Sequence, residues 1–123
     1  MYEVEFYEDK NCKEPIKDFI LNMQEKGKTS KSDRIRAEKI LTYIRTLQTY
    51  GTRAGENYTK YIDNDLWELR PLKDRIFFFY WKDNTFILLH HFVKKTQKTP
   101  QKEIEQAKKN MHDYIERSKN NGN

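Results

Sequence analysis

An α+β fold, with helices layered on one face of an antiparallel sheet, is what this chain predicts, and three observations carry the prediction. Tyr2 to Glu8 alternates polar and apolar residues with the period of a half-buried strand. Two stretches, Glu14 to about Glu25 and Ile35 to Tyr50, repeat their apolar residues at helical spacing. From Tyr58 to Val93 turn signals recur about every ten residues, as a meander of antiparallel strands requires.

The elements follow in order. In the first strand Val4 and Phe6 share a face and open the sheet. Pro15 suits the first turn of a helix, in which Ile16, Phe19, Ile20 and Met23 form the apolar stripe and which Gly27 ends. Lys28 to Ser32 is a polar connection to a longer helix with Ile35, Ala37, Ile40, Leu41, Ile44 and Leu47 on its apolar face, so the two make a helical hairpin. Thr52 to Asn57 is a loop. Strands are predicted at Tyr58–Ile62, Leu66–Leu72, Arg75–Lys82 and Thr85–Val93, with turns at Asn64-Asp65, Lys73-Asp74 and Asp83-Asn84. Thr99 as N-cap and Pro100 at the first helical position start a terminal helix marked by Ile104, Ala107, Met111, Tyr114 and Ile115.

At 123 residues the chain is long enough for one core. Residues 1–118 are expected to form a single domain and 119–123 a disordered tail. Apolar residues make up 36% and charged residues 35%, yet seven Phe, eight Tyr and two Trp supply the large buried area that so polar a chain needs. The formal charge of +5 suits a polyanionic or acidic partner, the alternative being a generally basic solvated surface. A single cysteine, Cys12, cannot form an intrachain disulfide, no window is long and apolar enough to cross a membrane, and the N-terminus lacks the layout of a signal peptide. These features lead to the expectation of a cytoplasmic protein with no membrane partner.

Strand alternation sorts the charged residues. Trp67 and Leu69 share one face as a core pair, whereas Leu66, Glu68 and Arg70 share the other, with Glu68 as an ion-pair partner for Arg70. Arg75, Phe77, Phe79 and Trp81 share a face, as do Ile76, Phe78 and Tyr80, so that strand is central. The last strand sets Ile87, Leu89, His91 and Val93 against Phe86, Leu88, His90 and Phe92, then runs into Lys94-Lys95. Adjacent His90 and His91 face opposite ways and cannot chelate one metal, and no other cluster has metal-ligand spacing. Arg70, Arg75, Lys94 and Lys95, held at strand ends, suit a phosphate backbone. The competing reading is cross-strand pairing for the arginines and an aggregation-blocking edge for the lysines. Lys60 is open to both readings, and Tyr58, Tyr61 and Tyr80 are either stacking platforms for bases or packing.

The ordered set Leu66-Trp67-Glu68-Leu69-Arg70, Arg75-Ile76-Phe77-Phe78-Phe79, and His91-Phe92-Val93-Lys94-Lys95-Thr96 with Lys98-Thr99-Pro100 resembles the phage-derived HigB-like branch of the RelE/ParE toxin superfamily. The resemblance extends over nearly the whole chain. It implies a RelE-like compact fold, with an N-terminal strand and a helical hairpin on a twisted antiparallel sheet and a C-terminal helix. It further implies the toxin of a type II toxin–antitoxin pair, a ribosome-dependent mRNA endoribonuclease (mRNA interferase) that inhibits translation and arrests growth. A HigA-like helix-turn-helix antitoxin would neutralise it. Its partners would be that antitoxin, the ribosome and mRNA, with operator DNA met only through the antitoxin.

In such proteins the basic residues of the three segments form the active surface, here Arg70, Arg75, Lys94 and Lys95, with Lys98 as a further RNA-binding candidate beside Lys60 and Tyr61. RNA carries its own nucleophile, the 2′-OH, so no metal and no cofactor is expected. Arg70 and Arg75 would clamp the phosphate, Lys94 or Lys95 would stabilise charge or move a proton, and His91 and Tyr80 stand in reserve for proton transfer. Two other readings are a ParE-like gyrase inhibitor and a non-catalytic nucleic-acid-binding module.

Overall fold

The structure, a computed structural model, describes residues 1–120. Its elements are β1 (Glu3–Phe6), α1 (Pro15–Lys26), α2 (Lys31–Tyr50), a short 3-10 turn (Gly51–Ala54), β2 (Thr59–Asp63), β3 (Leu66–Leu69), β4 (Asp74–Tyr80), β5 (Thr85–Val93) and α3 (Gln101–Asn120). They form one five-stranded sheet in the order β1-β5-β4-β3-β2, flanked by three helices. The helix α3 carries the chain through Asn120, and the rest of the expected tail, 121–123, lies outside the described residues.

Local chemistry accounts for most boundaries. Pro15 opens α1, and the Ser30 side chain accepts from Asp33 N to cap α2, so that helix begins before the end of the expected connection. Gly27 lets α1 close against α2, since a Cβ there would lie 2.9 Å from the Arg34 Cα. Asn64 and Asp65 both take positive φ (46° and 71°), as do Asp83 and Asn84 (51° and 63°), which is the type I′ geometry that matches the twist of the flanking strands.

β3 stops earlier than predicted because Pro71 has no N–H to continue the ladder. The turn therefore falls on Pro71–Lys73, with Leu72 at φ 53° and Asp74 N donating back to the Pro71 carbonyl at 3.0 Å. Asp74, expected in the turn, is the first residue of β4.

β2 to β5 form the antiparallel meander, and β1 joins it as a parallel strand against β5, with Val4 opposite Phe86 and Phe6 opposite Leu88. The helices do not share one face. α1 and α2 cover Leu69, Ile76, Phe78, Phe86 and Leu88 with Ile16, Ile20, Ile40, Ile44 and Leu47. α3 covers Leu66, Phe77, Phe79, Ile87, Leu89 and Phe92 with Ala107 and Met111. The reason lies in β4, whose residues from Ile76 to Phe79 are apolar on both sides and nearly inaccessible, so each side needs its own cover.

A β-bulge in β5 changes the expected alternation. Phe77 pairs with His90 but Phe78 pairs with Leu88, which leaves Leu89 as the extra residue. Ile87 and Leu89 face α3 as expected, but beyond the bulge the parity reverses. His90 and Phe92 face α3, and His91 faces α1, where its ring stacks on Phe19 with centroids 3.9 Å apart.

Tyr7, just past β1, ties that edge to α3. Its hydroxyl donates to Asp113 Oδ2 at 2.6 Å, and Arg117 bonds the same carboxylate and reaches the Glu8 carbonyl. Burial first, and then the Asp113 acceptor, push the Tyr7 phenol up to about 12, so it remains a donor across the neutral range. Tyr7→Phe is expected to lower stability by about 1 kcal/mol, a hydrogen-bond loss discounted for the half-exposed acceptor. Urea denaturation measures it, and an unchanged midpoint would mean that the Tyr7–Asp113 bond adds nothing to what packing and Arg117 supply.

Candidate active site

Glu68, on β3, is the centre of a charged cluster at the sheet end nearest the start of α3. Its side chain is 1% exposed. Oε2 accepts a hydrogen bond from Thr99 Oγ1 at 3.1 Å, and Oε1 lies 3.8 Å from Arg70 Nε and 3.8 Å from Arg75 Nε. Those last distances exceed a hydrogen bond. Glu68 Oε1 and both Nε atoms are buried and have no hydrogen-bond partner among the described residues.

The arginines are aimed by main-chain carbonyls. Arg75 Nη1 donates to Leu72 O at 2.7 Å and to Asp74 O at 2.8 Å, and Arg70 Nη1 donates to Glu56 O at 3.0 Å. Carbonyl acceptors orient a guanidinium without neutralising it. The Arg70 side chain is 27% exposed and that of Arg75 11%, while both Nε atoms are buried.

Lys94 follows β5 beyond the bulge and lies within electrostatic reach of this cluster. Burial and the charge of Arg75, with Arg70 and Lys60 adding and Glu68 opposing, hold its ammonium below the usual lysine range. Burial, with Arg70 adding, likewise lowers Arg75, which stays cationic as every guanidinium does. Lys60 sits on β2 directly across from Glu68. Two arginines thus flank one carboxylate, with Lys60 across from it on the neighbouring strand and Lys94 within electrostatic reach, and the excess positive charge suits a phosphodiester. A surface depression of about 460 Å³ lined by Lys94, Lys95, Thr96 and Gln97 adjoins them. A cleft of similar size along β1 and the C-terminal part of α3 carries Glu5, Glu8 and Glu14, the wrong sign for that ligand.

The remaining sequence candidates lie elsewhere. Lys95 is exposed in the depression, and Lys98 is exposed in the segment leading to α3. Tyr61, on the edge strand β2, packs edge-on against Trp67 at 5.4 Å and is half-exposed. Tyr80 is at the far end of β4, where its hydroxyl accepts from Asn84 N in the hairpin turn, so the structure does not bring it to the arginines.

His91 is also separated from them, by the sheet itself. On the α1–α2 side its Nε2 lies 2.8 Å from Asp74 Oδ1, while Arg36 grips Asp74 with two bonds of 3.0 and 2.6 Å. Burial would raise the Asp74 carboxyl, but the hydrogen bonds from His91 and Arg36 and their charges outweigh it and hold it below the usual carboxylate range. His90, on the α3 side, pairs with Glu103 at 2.8 Å. Among the described residues no three His, Cys, Asp or Glu side chains gather as a metal-ligand set, and no helix is long and apolar enough to cross a membrane.

Sequence reasoning had Glu68 only as a partner for Arg70, took Thr99 for a helix cap and took Asp74 for a turn residue. The Thr99 hydroxyl instead donates to Glu68. The signal that could have exposed Glu68 was its alternation with Leu66, which places a carboxylate among core residues.

Residues 27–112 match the family described as Phage derived protein Gp49-like (DUF891). No curated protein matches the chain.

Proposed function

The chain belongs to the phage-derived Gp49-like family, within the RelE/ParE-like toxin–antitoxin superfamily, and from that premise we propose that it is a HigB-like toxin that cleaves mRNA on the translating ribosome. The observation that carries this reading is the cluster of Lys60, Arg70, Arg75 and Lys94 near Glu68, which concentrates positive charge and oriented guanidinium groups at one end of a rigid sheet.

The chemistry asked of these residues is modest. The 2′-hydroxyl gives up its proton to solvent water as its oxygen attacks the adjacent phosphorus, a 2′-O–P bond forms to leave a 2′,3′-cyclic phosphate, the P–O5′ bond breaks, and the 5′-oxygen takes up a proton and leaves as a hydroxyl. Arg70 and Arg75 stabilise the charge that builds on the phosphoryl oxygens. Lys94, whose environment already favours release of its proton, supplies one to the departing oxygen. Lys95, Lys98, Lys60 and Tyr61 contact the RNA on either side.

Membership of the family implies an antitoxin partner. We assign it the helix-turn-helix, HigA-like class, and it would inhibit by blocking entry to the ribosome without having to reach Arg75.

Primer extension on cellular mRNA after induction, with and without active translation, tests the activity. Discrete new 5′ ends that require translation are expected. Intact messages with DNA damage and filamentation would replace this reading by gyrase inhibition.

A further inference from the structure

Two carboxylates are buried at this end of the sheet, and they are treated in opposite ways. Asp74 is fully inaccessible and fully bonded, with two hydrogen bonds from Arg36 and His91 beside it at 2.8 Å. Glu68 is as deeply buried, but its Oε1 stands 3.8 Å from two arginine Nε atoms and bonds neither. Burying a charge is costly, and a carboxylate kept only for stability gains by closing those gaps. Asp74 shows that the chain can close them.

We propose that Glu68 is a positioning residue for the cleavage reaction: it sits behind Arg70 and Arg75 as a shared counter-charge that holds the two guanidinium groups side by side without occupying the edges that meet the phosphate. This rests on the ribonuclease reading above and deepens it. Three features support the arrangement. The Nε atoms lie 3.8 Å from the carboxylate and are inaccessible, so substrate does not meet that edge. Nη1 of each arginine is fixed by main-chain carbonyls, which sets the direction of each guanidinium. Thr99, at the threshold of α3, bonds Oε2 and fixes the carboxylate in turn.

A counter-charge of this kind has a distinctive signature. It opposes the ground-state attraction of RNA while improving the alignment used in the transition state, so its removal separates rate from binding. Neutralising it leaves two like charges adjacent, each still held by its main-chain carbonyls but with no shared counter-charge.

The test measures single-turnover cleavage on ribosomes programmed with mRNA, as a function of toxin concentration, for the wild type, Glu68→Gln and Thr99→Val. Glu68→Gln is expected to lower the rate at saturating toxin by about 10- to 100-fold, the scale of a small misplacement of a reacting group, without raising the half-saturating concentration. Thr99→Val keeps the charge and loosens its orientation, so its saturating rate falls less and its half-saturating concentration stays at the wild-type value. Thermal melting of each variant reports folding, and if Glu68→Gln does not fold, Thr99→Val decides alone. A wild-type saturating rate in the folded variants overturns the proposal, as does a loss confined to half-saturation. A wild-type protein that leaves programmed ribosomes intact removes the ribonuclease reading itself, and that result differs from an active wild type whose variants are unaffected.

Discussion

Arg70→Ala is expected to abolish growth arrest on induction, with cleavage of programmed ribosomes falling by about 100- to 1000-fold, the usual cost of one lost donor to a developing anion. The fold should survive. The Arg70 side chain is partly exposed and its one hydrogen bond goes to the Glu56 carbonyl in a surface loop. Glu68 would still have Arg75 as counter-charge and Thr99 as donor. Arg75→Ala is the less informative change, because Arg75 is the more deeply buried of the two and organises the Leu72 and Asp74 carbonyls. Growth curves, the cleavage assay and a melting curve on the same protein suffice. A folded Arg70→Ala variant that remains fully toxic would place the reaction elsewhere on the surface.

Asp74→Asn is expected to produce the largest loss of stability from a single change, about 3–5 kcal/mol at neutral pH, the usual cost of removing one member of a buried ion pair. The variant leaves Arg36 and His91 facing a neutral amide inside the α1–α2 face. The sign of the pH dependence follows from the direction of the shift. The Asp74 carboxyl is held below its ordinary range in the folded protein, so its contribution is fully present above the unfolded value of about 3.9 and is lost as pH falls through the lower folded value. The gap between wild type and variant should therefore be constant near neutrality and narrow in acid. Urea titrations at a series of pH values would show it. A gap that widened on acidification would mean that Asp74 is not the ionised partner.

Much of this architecture was legible before the structure. Alternation in β1, the stripes of α1 and α2, the paired Asn/Asp turns and the start of α3 near Pro100 are local signals, and local signals survive folding. The expectation of helices on one face was wrong: α3 is segregated from α1 and α2, because the two apolar faces of β4 each need a cover, a nonlocal consequence of a local pattern. The bulge was not legible, because Ile87 to Leu89 is uniformly apolar and offers no polar marker for a change of parity.

The candidate site divides in the same way. Arg70, Arg75 and Lys94 come together because each ends a neighbouring strand. Tyr80 and His91 are reserve candidates by residue type alone, which face arithmetic does not place beside the arginines; Tyr80 lies at the far end of β4, and the bulge turns His91 toward α1. Thr99 and Asp74 were read as a cap and a turn because their common local roles hide long-range partners, Glu68 and Arg36 respectively.

The extra residue at Leu89 also decides which lysine of the dipeptide matters. In a strand of the same length but regular pleat, the side that carries Ile87 and Leu89 would continue through His91 and Val93 to Lys95; with the bulge it continues through His90 and Phe92 to Lys94. A relative one residue shorter and unbulged would keep the present assignment, whereas one of equal length and unbulged would exchange the two lysines. Equivalence with a shorter, unbulged relative is therefore counted backward from the Lys-Lys pair, since counting forward from the Asp83-Asn84 turn would match residues on opposite sides of the sheet.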